Sequence, residues 1–390
     1  MVGAVAVSEA ALAGAGDSAF APVACPASLT AIAECHEARD ANGAFVLVAL
    51  PRDWNHKLVV HAHGGPRLRP PVAGDSTDDL DRYAALVRAG YAWVGSTYRR
   101  AGYGVRRAAA DVEHSRQLFV RHWGQPLRTW LHGQSWGGNV AAKLAELYAL
   151  DVNGQRNYDG VLTTNGVLFG GTAAYGFRAD LRVVYQAYCH NHPAPDEPAY
   201  PLWQGLPEGA KLTREQLAQR VDDCTGLTLP PDQRSNEQAG RLRNILAVTG
   251  IAEPQLLSHL NWATFHFQDL VQRHLGGRNP YDNRHTVYLG SDDDALLNAT
   301  VERFDADPQA VARLAYDADL SGQIVLPTVN LHASGDPTVS PLALQAYART
   351  VALAGRSDLL HQRLIDGHDH SRLPDAAYLW GLAALEQSVP

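Results

Sequence analysis

The sequence predicts an α/β protein: a mostly parallel sheet flanked by helices, with a large, mainly helical insertion between late strands. Three observations lead there. Strand-like apolar runs alternate with segments of helical spacing over 41–171 and again over 321–390. The alternation stops between 172 and 320, where helical patches, aromatics and the clustered prolines Pro193, Pro195, Pro198 and Pro201 take over. Several of the apolar runs end in glycine, as buried strands feeding loops do: Gly64-Gly65, Gly133 and Gly170-Gly171.

In chain order, residues 1–40 form a leader and N-terminal segment. The first twenty are rich in Ala and Gly, lack a basic start, and are interrupted by Glu9 and Asp17. They read as a flexible leader or the remnant of an export signal. The first part of the core, 41–171, then offers strands at 43–50, 58–63, 91–97, 129–132 and 161–169. Helices are expected between them at 80–89, where Gly90 stops the run, at 108–122 and at 139–150. After the insertion, 172–320, the core resumes over 321–390. It supplies strands at 324–332 and 359–365 and helices at 342–354 and 376–385.

Composition removes several classes of function. Of 390 residues, 46% are hydrophobic and 19% charged, a balance that supports a packed core rather than extended disorder. The net charge of −8, without a basic stripe, argues against a nucleic-acid partner. No apolar stretch is long enough to span a bilayer. Cys25, Cys35, Cys189 and Cys224 show no CxxC spacing, so no zinc or thioredoxin site is expected. Their grouping suggests the pairs Cys25–Cys35 and Cys189–Cys224, with buried free thiols as the alternative. Paired cysteines would go with a periplasmic or secreted protein, free ones with a cytoplasmic one.

Four stretches carry chemistry. Gly133-Gln134-Ser135-Trp136-Gly137 sits between a short apolar strand and a helix. A nucleophilic serine must stand on a sharp turn where neighbouring backbone comes close, which calls for glycine on both sides. The helix that follows points free N–H groups at the reacting centre. His63-Gly64-Gly65-Pro66 ends an earlier strand. An oxyanion needs two donors already in place, and the N–H groups of Trp136 and Gly65 are the candidates. His63 itself is expected to be structural. His61 and His63 share a strand face, but the Asp-His pair that a two-metal hydrolase would need is replaced by Gly64-Gly65, so no metal is expected.

Asp336, held between Gly335 and Pro337 after a late strand, can orient a histidine. Asp366-Gly367-His368-Asp369-His370 follows the last strand and offers two candidate bases. His368 directly follows the flexible glycine and is the expected base, with His370 the alternative. Asp292-Asp293-Asp294 reads as a capped helix start. The insertion's aromatics, among them Tyr175, Tyr185, Tyr188, Trp203, Trp262, Phe265 and Phe267, are core singly and a possible pocket lining as a group.

The chain from about Ala41 to Ser371 resembles the α/β-hydrolase superfamily, and within it a group of bacterial, often secreted hydrolases. The stretches that carry the resemblance are ANGAFVLVALPRDWNHKLVVHAHGG, GYAWVGSTYRRAGYGV, LHGQSWGGNVAAKLAE, NPYDN with SDDDALLN, VNLHASGDPTVSP and DGHDHS. The resemblance implies Ser135 as nucleophile, Asp336 as acid, His368 as base, and Trp136 with Gly65 as oxyanion donors. It implies a cap domain at the insertion. His63-Gly64-Gly65-Pro66 with Ser135-Trp136-Gly137 is also similar to proline iminopeptidases, but the Asp-Gln-Arg-Gly segment of that family is missing. Tannase and feruloyl esterase relatives carry cysteines where Gln134 and Asp369 stand here. The activity expected is hydrolysis of a small-molecule carboxylic ester through an acyl-enzyme, without a cofactor. The alternatives are an amidase or aminopeptidase with the same residues, which needs acids in the cap to hold an amine, and a non-catalytic binding protein.

Overall fold

The computed structural model describes residues 16–389, and the leader up to residue 15 lies outside them. Nine strands form one sheet: β1 (Ala21–Val23), β2 (Ala33–Arg39), β3 (Phe45–Pro51), β4 (Lys57–Ala62), β5 (Ala92–Ser96), β6 (Arg128–Gln134), β7 (Gly160–Thr164), β8 (Thr328–Ala333) and β9 (Leu360–Ile365). Their order is β1-β2-β3-β5-β4-β6-β7-β8-β9. The first three strands and the β3–β5 pairing are antiparallel, and from β5 to β9 every neighbour is parallel.

A parallel sheet must be covered on both faces. Strand side chains alternate accordingly: Val60 and Leu131 pack with Val105 and Val140 on one face, while Val59, Trp93 and Trp130 pack with Leu382 on the other. The long flanking helices are Val105–Trp123, Trp136–Tyr148, Leu342–Leu353 and Asp375–Gln387. The register aligns strand ends at the functional edge. Ala62 pairs with Gly133, Gln134 with Thr164, and Ala333 with Ile365. The loops that leave β4, β6, β7, β8 and β9 therefore emerge side by side.

Several boundaries differ from the sequence expectation. β1 and β2 had no strong signal, since AECHEAR in β2 carries polar residues on its open face. β7 ends at Thr164 rather than 169 because Asn165 turns the chain at φ 47°. β8 begins at Thr328, directly after Pro327, which has no N–H to give a ladder. The helices expected from 108 and 139 start one turn earlier, at Val105 and Trp136.

Between β7 and β8 the chain is helical, with Gly171–Cys189, Arg214–Thr225, Asn236–Thr249, Leu256–Asn261, Asp294–Thr300 and Pro308–Ala318 as its main helices. Reciprocal caps start two of them, Thr213 with Gln216 and Ser235 with Gln238. Asp293 caps a third through the Leu296 N–H, as the acidic run predicts. Both expected disulfides are formed, Cys25–Cys35 and Cys189–Cys224. The place where this segment leaves the sheet touches the place where it returns. The Asp319 carboxylate accepts the Thr172 N–H at 2.7 Å and the Thr172 hydroxyl at 2.5 Å. Asn139 Nδ2 donates to the Ala318 carbonyl at 3.0 Å.

Candidate active site

Ser135 lies on the turn between β6 and the helix Trp136–Tyr148, at φ 56° and ψ −125°. A non-glycine residue there is strained, and the surroundings hold it. Its N–H donates to the Thr164 carbonyl at 3.0 Å, and its carbonyl accepts from Gly138 and Val167, each at 2.9 Å. The flanking glycines are required by space. A Cβ on Gly133 would stand 2.2 Å from the Gly137 carbonyl oxygen, and one on Gly137 would stand 2.2 Å from that of Ala62.

The histidine at Ser135 is His370. Its Nε2 lies 2.8 Å from Ser135 Oγ, and its Nδ1 lies 2.8 and 3.0 Å from the two Asp336 carboxylate oxygens. The expectation that His368 makes these contacts is corrected. The backbone explains why: Ser334 N–H bonds to the Ile365 carbonyl and Gly335 N–H to the Gly367 carbonyl, so β8 and β9 go on pairing past their ends. Gly367, at φ 149°, bends the chain before His368, but the ring folds back over Gly335, where a Cβ would meet its Nδ1 at 2.0 Å. His368 is exposed at the rim of a surface depression with Asp366, Asp369 and Arg372. The chain then turns again at Asp369, whose carboxylate accepts the N–H groups of Ser371 and Arg372, and this second turn delivers His370 inward.

Two amides lock that turn. Gln134 Nε2 donates to the His370 carbonyl at 2.8 Å. Asn165 Nδ2 donates to the carbonyls of His370 at 2.7 Å and Asp369 at 3.0 Å, while its Oδ1 accepts the Ala333 N–H at 2.8 Å. The sequence reading missed Asn165 in any role. Its only local signal was a polar residue directly before glycine at a strand end.

Asp336 is fully enclosed. Burial pushes its pKa up, but hydrogen bonds from His332 and His370, the charge on His370 and the Val339 N–H outweigh burial and hold the carboxyl well below its usual range. The carboxylate also accepts the Thr338 N–H at 2.7 Å and the Val339 N–H at 3.0 Å. Its side chain is thus a fixed anion aimed at His370.

On the other side of Ser135, Trp136 opens the helix, so its N–H has no carbonyl one turn back to bond. Gly65 sits in the loop after β4 at φ 71°. That loop is pinned from below. His63 Nδ1 lies 2.5 Å from the buried Asp79 carboxylate, and the Tyr98 hydroxyl donates to the His63 carbonyl at 2.8 Å. His63 therefore has the structural part expected for it.

Two cavities adjoin the site. One is a narrow slot lined by Trp136, Tyr103, Tyr175, Trp262 and Phe267. Tyr175 and Phe267 stack at 3.8 Å, so part of the insertion's aromatic set does line a pocket. The other, of about 400 Å³, runs from Val167 to Gln255, His259 and Val339.

No family model matches the chain, and no curated protein matches it. Solved structures do. Lipase A of Candida antarctica in its closed state superposes with a TM-score of 0.50 at 13% identity, over 97% of this chain and 84% of that one. Feruloyl esterase B of Aspergillus oryzae gives 0.49 at 13% identity, over 97% and 88%. The cell wall degrading esterase LipA of Xanthomonas oryzae gives 0.46 at 14%, over 96% and 98%. Together with the strand order, the likeness to lipase A establishes the fold as that of the α/β-hydrolases.

Proposed function

We propose that the protein is a serine hydrolase that cleaves the carboxylic ester of a small molecule through an acyl-enzyme. The observation that carries this reading is the unbroken hydrogen-bond chain Asp336–His370–Ser135. In this reading His370 Nε2 takes the Ser135 proton as Oγ attacks the ester carbonyl carbon. Asp336 holds the Nδ1–H tautomer and stabilises the imidazolium that forms. The carbonyl oxygen, now negative, is held by the N–H groups of Trp136 and Gly65, each such donor typically contributing about 10²–10³-fold. Collapse of the tetrahedral intermediate breaks the bond to the alcohol oxygen, which leaves with the proton from His370. Water, deprotonated by His370, then attacks the acyl carbon and releases the acid and Ser135.

In the same reading the helical segment 172–320 acts as a cap that bounds the substrate site. The two disulfides support a periplasmic or secreted location. Among the described residues no helix is long and apolar enough to cross a membrane. The ester reading is favoured over an aminopeptidase because the residues that line the two cavities beside the site include no Asp or Glu to hold a substrate amine.

The test is direct. The purified protein should be labelled by a fluorophosphonate probe and should cleave 4-nitrophenyl esters faster than aminoacyl anilides. Ser135→Ala should lose all labelling and about 10⁴-fold or more of the esterase activity. Labelling that survives in the Ala variant removes the assignment.

A further inference from the structure

Arginines in a protein interior are normally paired, because an uncompensated charge out of water is costly. Of the three buried arginines among the described residues, one obeys. Arg116 is paired with Glu113. Arg182 has no carboxylate of the described residues at ion-pair distance and its Nε and Nη1 lack partners among them, but it donates to the Tyr200 hydroxyl at 2.9 Å, its charge acts on Glu302, and it lines neither cavity beside Ser135.

Arg178, one turn before Arg182 on the same helix, has no carboxylate partner among the described residues either. It is only 6% exposed. Its one side-chain hydrogen bond among the described residues runs from Nη1 to the Ala174 carbonyl, on its own helix. Its Nε has no partner, and no carboxylate among the described residues lies within ion-pair distance. Its guanidinium carbon sits 5.0 Å from the Trp262 ring centre, a weak partner for a full charge. Burial pushes its pKa down to about 10, which still leaves it charged at neutral pH.

Arg178 lines both cavities beside Ser135. His259 lines the larger one with it, is 3% exposed, and has no hydrogen-bond partner among the described residues on either ring nitrogen. Burial and the charge on Arg178 hold its pKa well below the usual range, so the ring is neutral and one N–H is available to donate. The remaining wall is largely apolar, with Phe169, Phe177, Ile251 and Leu342. The cavity touches the triad through the backbone: the Val167 N–H bonds to the Ser135 carbonyl, and Gln255 Nε2 to that of Asp336 at 2.9 Å.

From this pairing of a buried cation that no carboxylate of the described residues balances with a buried imidazole that none of their hydrogen bonds engages, we infer that the substrate ester carries a second, free carboxylate, which Arg178 binds with help from His259. A carboxylate matches the single positive charge, while a phosphate dianion would leave one negative charge uncompensated in an apolar cavity. The inference rests on the ester-hydrolase reading for the location of the scissile bond, and on Arg178 and His259 for the selectivity.

Two measurements test it. The first compares charged and neutral substrates on both sides of the ester. The acyl-side pair is 4-nitrophenyl hemiglutarate against 4-nitrophenyl pentanoate, and the alcohol-side pair is 4-acetoxybenzoate against its methyl ester. One pair should show a preference in kcat/KM of tenfold or more for the charged member. Arg178→Gln should remove that preference, and Arg178→Lys should keep part of it. The second measures binding of monoethyl glutarate and diethyl glutarate to Ser135→Ala by calorimetry, where no turnover is needed. The monoanion should bind at least tenfold more tightly. If both pairs and the binding show no advantage for the charged ligand, or if Arg178→Gln keeps the native ratio, the carboxylate site is wrong. If Arg178→Gln fails to fold, the native ratios and the Ser135→Ala binding still decide. Absence of any fluorophosphonate labelling refutes the hydrolase reading instead, and leaves the calorimetric comparison to judge the carboxylate site.

Discussion

Asn165 holds His370 by its backbone: Nδ2 lies 2.7 Å from the His370 carbonyl oxygen, while Oδ1 is tied to the Ala333 N–H beside Asp336's loop. One amide thus fixes the loop of His370 to the strand that leads to Asp336. Asn165→Asp keeps the size and the acceptor but sets an oxygen against two carbonyls. It should lower kcat/KM by about tenfold to a hundredfold, since a small misplacement of a catalytic group has effects of that order. The loss should fall on kcat with KM little changed, because Asn165 does not line either cavity. Steady-state kinetics on one 4-nitrophenyl ester checks this.

The two histidines should separate cleanly. His370→Ala should cost nearly as much as Ser135→Ala, on the order of 10⁴-fold in kcat. His368→Ala, which removes an exposed ring packed on Gly335, should stay within about tenfold, equivalent to about 1.4 kcal/mol. A dead His368→Ala with an active His370→Ala would overturn the geometry.

Acid stability should depend on Asp336. Its pKa is depressed in the folded state, so it contributes stability above the unfolded carboxyl value of about 4. That contribution is lost as pH falls from there toward the folded value. Urea midpoints measured from pH 7 down to pH 3 should therefore fall in the native protein and fall less steeply in Asp336→Asn.

The disulfide Cys189–Cys224 closes a span of 35 residues between two helices of the insertion. Replacing both cysteines by serine should cost about 2–4 kcal/mol of stability. Thiol titration of the unfolded, unreduced protein should find none of the four free; four titratable thiols would contradict both bridges.

The legible parts of the site were those whose geometry is local. Ser135 with its glycines, and Asp336 between Gly335 and Pro337, sit on turns set by a few adjacent residues, so those turns were readable in the sequence. Which histidine meets Ser135 is decided elsewhere. Which of His368 and His370 turns inward depends on strand pairing past β8 and β9 and on Gln134 and Asn165, which are more than 200 positions away in the chain. The β1–β2 hairpin was likewise hidden, since its residues alternate only weakly and acquire strand form from pairing with β3. Arg178 could not be singled out at all. An arginine on a helix looks ordinary until the fold removes its water and supplies no acid.

The contact between Asp319 and Thr172 has a consequence for how such a protein can change. The helical segment leaves and rejoins the sheet at one spot, so its length is free of the strand pairing, while Gln255 and Asp269 tie it to the core through the Asp336 carbonyl and the Tyr103 N–H. Arg178 and His259 belong to that segment, while Ser135, Asp336 and His370 belong to the sheet's edge. On the proposed reading, exchange of the segment between relatives, by recombination or by design, would replace what is recognised and keep Ser135, Asp336 and His370, provided the Gln255 contact to Asp336 is kept.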